Sequence, residues 1–310
     1  MNVLLTGASG FLGRNLLLRL PAGWSVVATY RRSIDFERFV TERCDATQVQ
    51  TIQCDLEDPD SIASAMARVG RNFDLCVFLA ANTSVPLSVE DPAVDLRANT
   101  LTLLNTLGAV TIDRFVFMSS GAVYDGVVGP VGVATPVCPS LPYAISKLAS
   151  ELYLRNSHAQ GRLGSYAIIR FFGAYGPYEP RRKIYSRLVR ELGIERRNDF
   201  TIYGDGLNLV DAMYVDDAIT ALLKVSDDKR TALLVDAAYG QPMMIKELVD
   251  RAARLFLGRP VHLELKGVAH EAIHFKPDPA VLEHMVKFKP AVTLEQGLEK
   301  LLQHHLHGAS

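Results

Sequence analysis

Asn2-Val3-Leu4-Leu5-Thr6-Gly7-Ala8-Ser9-Gly10-Phe11-Leu12-Gly13 opens the chain. A short apolar run ends in glycines at Gly-x-x-Gly-x-x-Gly spacing. Arg14-Asn15-Leu16-Leu17-Leu18-Arg19-Leu20 follows with helical character. A strand, a glycine turn and a helix in that order predict a cradle for a pyrophosphate. Backbone N–H groups and the positive helix end face the anion, and the glycines let it approach. The spacing is one residue off the usual dinucleotide fingerprint. A glycine triplet alone is a weak signal; its position between strand and helix makes it strong. The bland alternative is a tight turn with no ligand.

Working outward, Ser25–Tyr30 is a second strand. Many dinucleotide folds place an acid at its end, on the ribose 2′-hydroxyl. Here Tyr30-Arg31-Arg32-Ser33 stands there, with no acid until Asp35. Two guanidiniums suit a 2′-phosphate through charge-assisted bonds. NADP(H) is therefore the favoured cofactor and NAD(H) the alternative. Arg31 and Arg32 as plain solvated residues, or one of them stacked on adenine, is the competing reading. Residues 50–56 form a third strand with Asp55 near its end. Residues 61–69 are helical. Residues 73–81 form a buried strand closing on Leu79-Ala80-Ala81, small enough for a cofactor to pass. Residues 92–110 carry apolar residues at helical spacing around Asn99. Residues 114–120 form a strand ending in Ser119-Ser120. Strands alternating with helices predict an α/β fold with a doubly wound parallel sheet. Its ligand crevice lies outside the carboxyl ends of the strands, where Gly7, Asp55, Ala80 and Ser120 fall.

Tyr143-Ala144-Ile145-Ser146-Lys147 carries the proton chemistry. Residues four apart share a helix face. A phenol titrates near ~10, and an adjacent ammonium lowers that value. The result is a phenol tuned to exchange a proton with a hydroxyl or carbonyl oxygen. The spacing alone is common in helices and gains weight only from the other motifs.

The whole chain sets outer bounds. It has 310 residues, 48% hydrophobic, enough for one large unit or two lobes. A net charge of −1 gives no sign of a nucleic-acid polymer or a membrane surface as partner. The start lacks a secretory pattern, and no stretch approaches a membrane span. Cys44, Cys54, Cys76 and Cys138 show no metal spacing and are expected as free thiols in a reducing compartment, so a cytoplasmic location is expected. His304, His305 and His307 are expected in a frayed polar tail, and no metal site is expected.

Together these pieces resemble the extended short-chain dehydrogenase/reductases, often called NAD-dependent epimerase/dehydratases. The matching stretches are Thr6–Gly13, Asp55-Leu56, Leu79-Ala80-Ala81, Met118-Ser119-Ser120-Gly121-Ala122-Val123-Tyr124, Tyr143–Lys147, Arg170–Pro177 and Tyr214-Val215-Asp216-Asp217. They occur in order over nearly the whole chain. The resemblance implies a Rossmann-type domain over residues 1–174, with a return segment at about 211–237, and a smaller, mainly substrate-binding lobe over 175–310. It implies Tyr143 as general acid/base and Lys147 as its pKa-lowering, ribose-holding partner. Ser120 would polarise the reacting oxygen, with strand-end capping as the bland alternative. The cofactor set it implies is Gly7, Ser9, Gly10, Phe11, Leu12, Gly13, Tyr30, Arg31, Arg32, Asp55, Leu56, Leu79, Ala80, Ala81, Asn99, Tyr143, Lys147 and Phe171. The substrate set is Ser119, Tyr175, Arg181 and Arg182. Arg181-Arg182-Lys183 either meets a diphosphate or is solvated. A homodimer through the helices around Asn99 and Tyr143 is also implied.

Departures narrow the chemistry. Val210 stands where the family often has a phosphate-gripping Arg, and His270 and His274 stand near the place of a second one. Gly173 replaces a common Asn. Gly121 and Ala122 replace the Asp-Glu pair of dehydratases, which argues against dehydration. The resulting expectation is an NADPH-dependent reductase of a keto-sugar, in nucleotide-linked form. The alternatives are a nucleotide-sugar epimerase with tightly held NAD, a reductase of a non-sugar ketone or aldehyde, and a non-catalytic dinucleotide-binding protein.

Overall fold

Val3, Leu4 and Leu5 are all buried because β1 (Asn2–Thr6) lies inside a sheet covered on both faces. The computed structural model describes residues 1–45, 47–267, 273–278 and 280–307. The other sheet strands are β2 (Ser25–Tyr30), β3 (Val49–Gln53), β4 (Asn72–Phe78), β5 (Thr111–Ser120), β6 (Ser165–Phe171) and β7 (Ala232–Ala237). Their order is β7-β6-β5-β4-β1-β2-β3. Every pairing among the first six strands is parallel, with Leu4 opposite both Val27 and Cys76. The fold is a Rossmann-like α/β sheet.

β1 and β4 are neighbours, and the chain leaves them toward opposite edges of the sheet. This is the switch point, where a crevice opens at the strand ends. Thr6 fixes its floor: the Oγ1 accepts from the N–H of Leu79 and of Ala80, each at 3.2 Å. Beneath it, Leu4, Phe78, Phe115 and Phe117 belong to one buried cluster. Each such side chain contributes roughly 1.5–3 kcal/mol by leaving water.

Helix starts follow their sequence signals. Asp58 accepts from the Asp60 N–H ahead of helix Pro59–Val69, and Asp91 accepts from the Val94 N–H ahead of Pro92–Leu96, each with proline in the first turn. The single helix expected over residues 92–110 is interrupted. Pro92–Leu96 and Thr102–Ala109 flank a π-helical turn, Arg97–Leu101. Such a turn inserts one residue and re-aims its side chains, here around Asn99.

The described chain divides into two units. One comprises Met1–Val123, Pro139–Phe171 and Leu222–Val235; the other comprises Tyr124–Cys138, Phe172–Ala221 and Asp236–Ser310. Residues 124–138, expected with the first lobe, lie in the second unit, where Val128–Val131 pairs in parallel with His274–Pro277. A second parallel pair joins Asp199–Tyr203 to His262–Lys266. Helix Leu294–His307 buries Leu298 and Leu301. The terminal histidines therefore end a helix rather than a frayed tail, and the His304 ring lies 5.4 Å from that of Tyr178. Among the described residues, no helix is long and apolar enough to cross a membrane.

Candidate active site

In the first unit, the glycine loop joins β1 to helix Phe11–Leu17. Gly7 has φ +65°, and an added Cβ would lie 2.7 Å from the Ala80 nitrogen. Only glycine fits that corner. Gly10 is exposed, and an added Cβ there would meet only the Gly7 carbonyl, at 3.2 Å. A side chain at Gly10 would thus occupy the open side of the loop, the space a pyrophosphate needs. Ser9, Phe11 and Leu12 are half-buried around it and Gly13 is buried, as are Leu79, Ala80 and Ala81 in part at the end of β4. These residues fit a dinucleotide.

At the end of β2 the charges are paired. Arg31 Nη1 lies 2.9 Å from Glu57 Oε1, and Tyr30 donates to Glu37 at 2.6 Å. Arg32 is exposed. Arg14 is buried and donates to the Ser9 carbonyl, Ser33 Oγ and Asp35 Oδ1. Asp55 is half-buried beyond β3, and its carboxylate accepts from the Glu57 N–H. Leu56 does not present a side chain to the crevice. It packs in the core, and its carbonyl accepts from Asn105.

Tyr143 is the second residue of helix Pro142–Ala159, with Pro142 at the first position. Tyr143 and Lys147 stand four residues apart on this helix, and the Lys147 Nζ lies 6.0 Å from the Tyr143 ring centre. Lys147 is buried. Its Nζ donates to the Met118 carbonyl at 3.0 Å and lies 5.0 Å from the Phe117 ring centre. Burial pushes its pKa down to about 8, against the opposing pull of the Asp95 and Glu151 carboxylates. Ser120 ends β5 half-buried, its Oγ accepting from the Ala122 N–H at 3.1 Å. Phe171 ends β6 on the adjacent strand, where it pairs with Ser120.

Ser119 and Tyr175, expected against the substrate, are corrected. Ser119 does not face a substrate: it is buried and donates to Glu151 Oε1 at 2.7 Å. Glu151 also receives Arg170 through two bonds, at 3.0 and 2.9 Å. Asn99 is held through its amide nitrogen, while its Oδ1 is buried with no hydrogen-bond partner. It is buried and donates to Asp95 and Ser146, and Asp95 accepts from Asn82 and Ser146 as well. These two buried carboxylates, Asp95 and Glu151, both act on the charge of Lys147 and carry no role in the sequence reading. Glu151 stands four residues after Lys147 and Asp95 four before Asn99, so helical spacing was a usable signal for both.

The Tyr175 correction is in the second unit. Tyr175 is 1% exposed, its ring centre stacked 4.3 Å from that of Tyr185 and its hydroxyl near the Leu294 carbonyl. Burial drives its hydroxyl far above the ordinary tyrosine range, so Tyr175 is a packing residue. Arg181 and Arg182 are exposed. They follow Glu179, whose carboxylate accepts from the Ser186 N–H at 3.0 Å and from its hydroxyl at 2.7 Å. Burial raises the Glu179 pKa to about 7. Val210 lies in the short strand Leu209–Val210, paired with Met243–Met244. Gly173 has φ +138°, a conformation that explains the missing asparagine side chain. His274 opens the strand His274–Pro277, and His270 lies outside the described residues. Among the described residues no cluster of His, Cys, Asp or Glu could hold a metal.

A model of the NAD dependent epimerase/dehydratase family matches residues 3–234. The dTDP-glucose 4,6-dehydratase of Streptomyces antibioticus is 30% identical over 227 residues, which is 70% of this chain and 66% of that protein. The GDP-6-deoxy-D-mannose reductase of Pseudomonas aeruginosa is 26% identical, over 96% of this chain and 94% of that one. The structure of MoeE5 in complex with UDP-glucose and NAD superposes with a TM-score of 0.86 at 25% identity, covering 100% of both chains.

Proposed function

The chain belongs to the NAD dependent epimerase/dehydratase family, and on that premise we propose that it reduces a keto group on a nucleotide-linked sugar, with NADPH as the cofactor. The observation that carries this reading is the end of β2. No carboxylate follows Tyr30 directly, and cations gather where the ribose acid would be: Arg31 and Arg32 in the loop, and Arg14 reaching Ser33 and Asp35 from the glycine turn. Cations there favour a 2′-phosphate, and an exchanging NADPH pool drives reduction. Gly121 and Ala122 carry no acid or base for an elimination.

The dinucleotide, when bound, supplies hydride. The glycine loop, with Gly7, Ser9, Gly10, Phe11, Leu12 and Gly13, orients it; Asp55 and Leu79–Ala81 flank it. Ser120 Oγ donates to the reacting carbonyl oxygen and polarises it. Tyr143 gives its phenolic proton to that oxygen as negative charge builds. Lys147 stabilises the phenolate that remains. Arg181 and Arg182, with Lys183, take the substrate's diphosphate, replacing the arginine that Val210 displaces. Residues 1–174, with the return segment at 211–237, hold the cofactor, and 175–310 mainly hold the substrate.

An epimerase with a tightly held NAD is the second reading, favoured by the carboxylate that Arg31 already carries in Glu57. We also propose a homodimer. Leu87, Leu96, Ile145, Leu152 and Tyr153 are exposed on helices Val85–Glu90, Pro92–Leu96 and Pro142–Ala159, an apolar surface suited to burial against a second copy.

Paired titration of the purified protein with NADPH and NADH, followed by nicotinamide fluorescence, tests the reading. Tighter, exchangeable NADPH binding supports the reductase. NADH preference, or resident NAD that does not exchange, supports the epimerase.

A further inference from the structure

Arg14 is the residue directly after the third glycine, and nothing in the dinucleotide fingerprint demands a cation there. Its guanidinium spans two segments. Nε donates to the Ser9 carbonyl in the glycine loop at 3.0 Å; Nη2 donates to Ser33 Oγ at 3.2 Å and to Asp35 Oδ1 at 3.0 Å, in the segment after β2. The adenosine ribose of a dinucleotide lies between these same two segments. We propose that Arg14, rather than Arg31, is the cation that selects the 2′ end of the dinucleotide, and that Asp35 is the carboxylate a 2′-phosphate displaces from it. This rests on the dinucleotide site of the proposed function and deepens it.

The two arginines differ in preorganisation. The Arg14 side chain is 11% exposed. The Phe39 and Phe36 rings hold it from one side, with ring centres 4.7 and 5.7 Å from its guanidinium carbon. A cation fixed by backbone and ring contacts gives up little rotamer freedom on binding an anion. The Arg31 side chain is 52% exposed and already has a carboxylate in Glu57, with Arg97 on that carboxylate's other oxygen at 3.9 Å. Arg31 must give up a partner and order a long side chain to serve a phosphate.

Asp35 is the complement. Its side chain is 59% exposed, the outer member of the cluster, and it takes the hydroxyl proton of Ser33 at 2.8 Å. The Ser33 and Arg14 bonds hold its carboxyl below the usual range, so it is charged at neutral pH. A 2′-phosphate arriving at Ser33 and Arg14 meets that charge. A 2′-hydroxyl does not have to move it. Exchange is favourable because the phosphate brings three acceptor oxygens to the donors that Asp35 vacates.

Binding of NADPH and NADH, without substrate, to wild type and variants by isothermal titration calorimetry tests this. Asp35→Asn removes the competing charge, so the NADPH dissociation constant should fall about tenfold, the size of one charged hydrogen bond, while that of NADH stays within about twofold. Arg14→Met keeps an apolar stem against the rings, and it should weaken NADPH about tenfold or more with NADH little changed. Ser33→Ala should weaken NADPH selectively and by less; with Asp35→Asn it carries the test should Arg14→Met not fold. Equal shifts for both cofactors in Asp35→Asn would overturn the proposal. So would loss of NADPH preference in Arg31→Ala but not in Arg14→Met. If the wild type prefers NADH, the reductase reading fails, yet Asp35→Asn must still move the NADPH-to-NADH ratio in the stated direction for the Arg14 proposal to stand.

Discussion

Lys147 donates to the carbonyl of Met118 at 3.0 Å, and the next residue, Ser119, donates to Glu151, four positions after Lys147. Two bonds one helical turn apart thus tie helix Pro142–Ala159 to the end of β5. That tie sets where Ser120, the next residue, emerges. Ser119 is spent on holding the strand, so the proposed oxygen donor is Ser120.

Substituting the two serines separates these roles. Ser120→Ala should lower kcat by about 10²-fold or more with the melting temperature little changed, as for loss of an oxyanion donor. Ser119→Ala should instead destabilise by about 1–3 kcal/mol, the range for a lost buried hydrogen bond to a charge. Chemical denaturation and steady-state kinetics on both variants check the pair; the reverse pattern would exchange the assignments.

The buried ion pair behind them makes a sharper stability prediction. Glu151→Ala takes from the buried Arg170 the carboxylate that holds it through two bonds, which should cost about 3–5 kcal/mol. The double variant Glu151→Leu, Arg170→Met should recover most of that loss. Equilibrium unfolding of the single and double variants measures the difference.

Gly7 and Gly10 should fail in different ways. Gly7→Ala meets backbone at 2.7 Å in a left-handed conformation and should destabilise the fold by on the order of 2 kcal/mol or more. Gly10→Val meets only the Gly7 carbonyl, at 3.2 Å and with an ordinary backbone conformation, so it should cost less stability than Gly7→Ala yet bind neither NADPH nor NADH. Undiminished dinucleotide affinity in Gly10→Val would contradict the cradle.

Glu179 gives a pH dependence with a definite sign. Its folded pKa, about 7, lies above its ordinary value of 4.5, because burial outweighs the Ser186 bonds and the charge of Lys183. The folded chain therefore holds a proton that the unfolded chain releases. The stabilisation is full below about 4.5 and is lost as pH rises through about 7, on the order of 3 kcal/mol in all. Glu179→Gln keeps an acceptor for Ser186 and does not titrate. Its stability relative to wild type should rise over that window, as read by denaturant midpoints at successive pH values.

Local signals were legible and long-range ones were not. β1 and β2 have the limits their apolar runs give, and Tyr143 and Lys147 share a face as four-residue spacing requires. The parallel pairs of the second unit, such as Val128–Val131 with His274–Pro277, join segments far apart in sequence, and no local pattern announces them. The interrupted helix around Asn99 also escaped, because apolar spacing persists across a one-residue insertion. Ser119 and Tyr175 depart from expectation for a shared reason. Polar side chains at strand ends read locally as facing ligands, whereas Glu151 and the Tyr185 ring hold these two inside. Burial decides such cases, and burial depends on partners distant in the chain.

The most direct test of the reductase reading combines the protein, NADPH and a nucleotide-linked keto-sugar, and follows nicotinamide absorbance alongside product stereochemistry. The account predicts one NADPH oxidised per hydroxyl formed, with Tyr143→Phe turnover reduced by about 10²-fold or more while NADPH still binds. Interconversion of two sugar epimers with no net NADPH oxidation would contradict it and make the enzyme an epimerase.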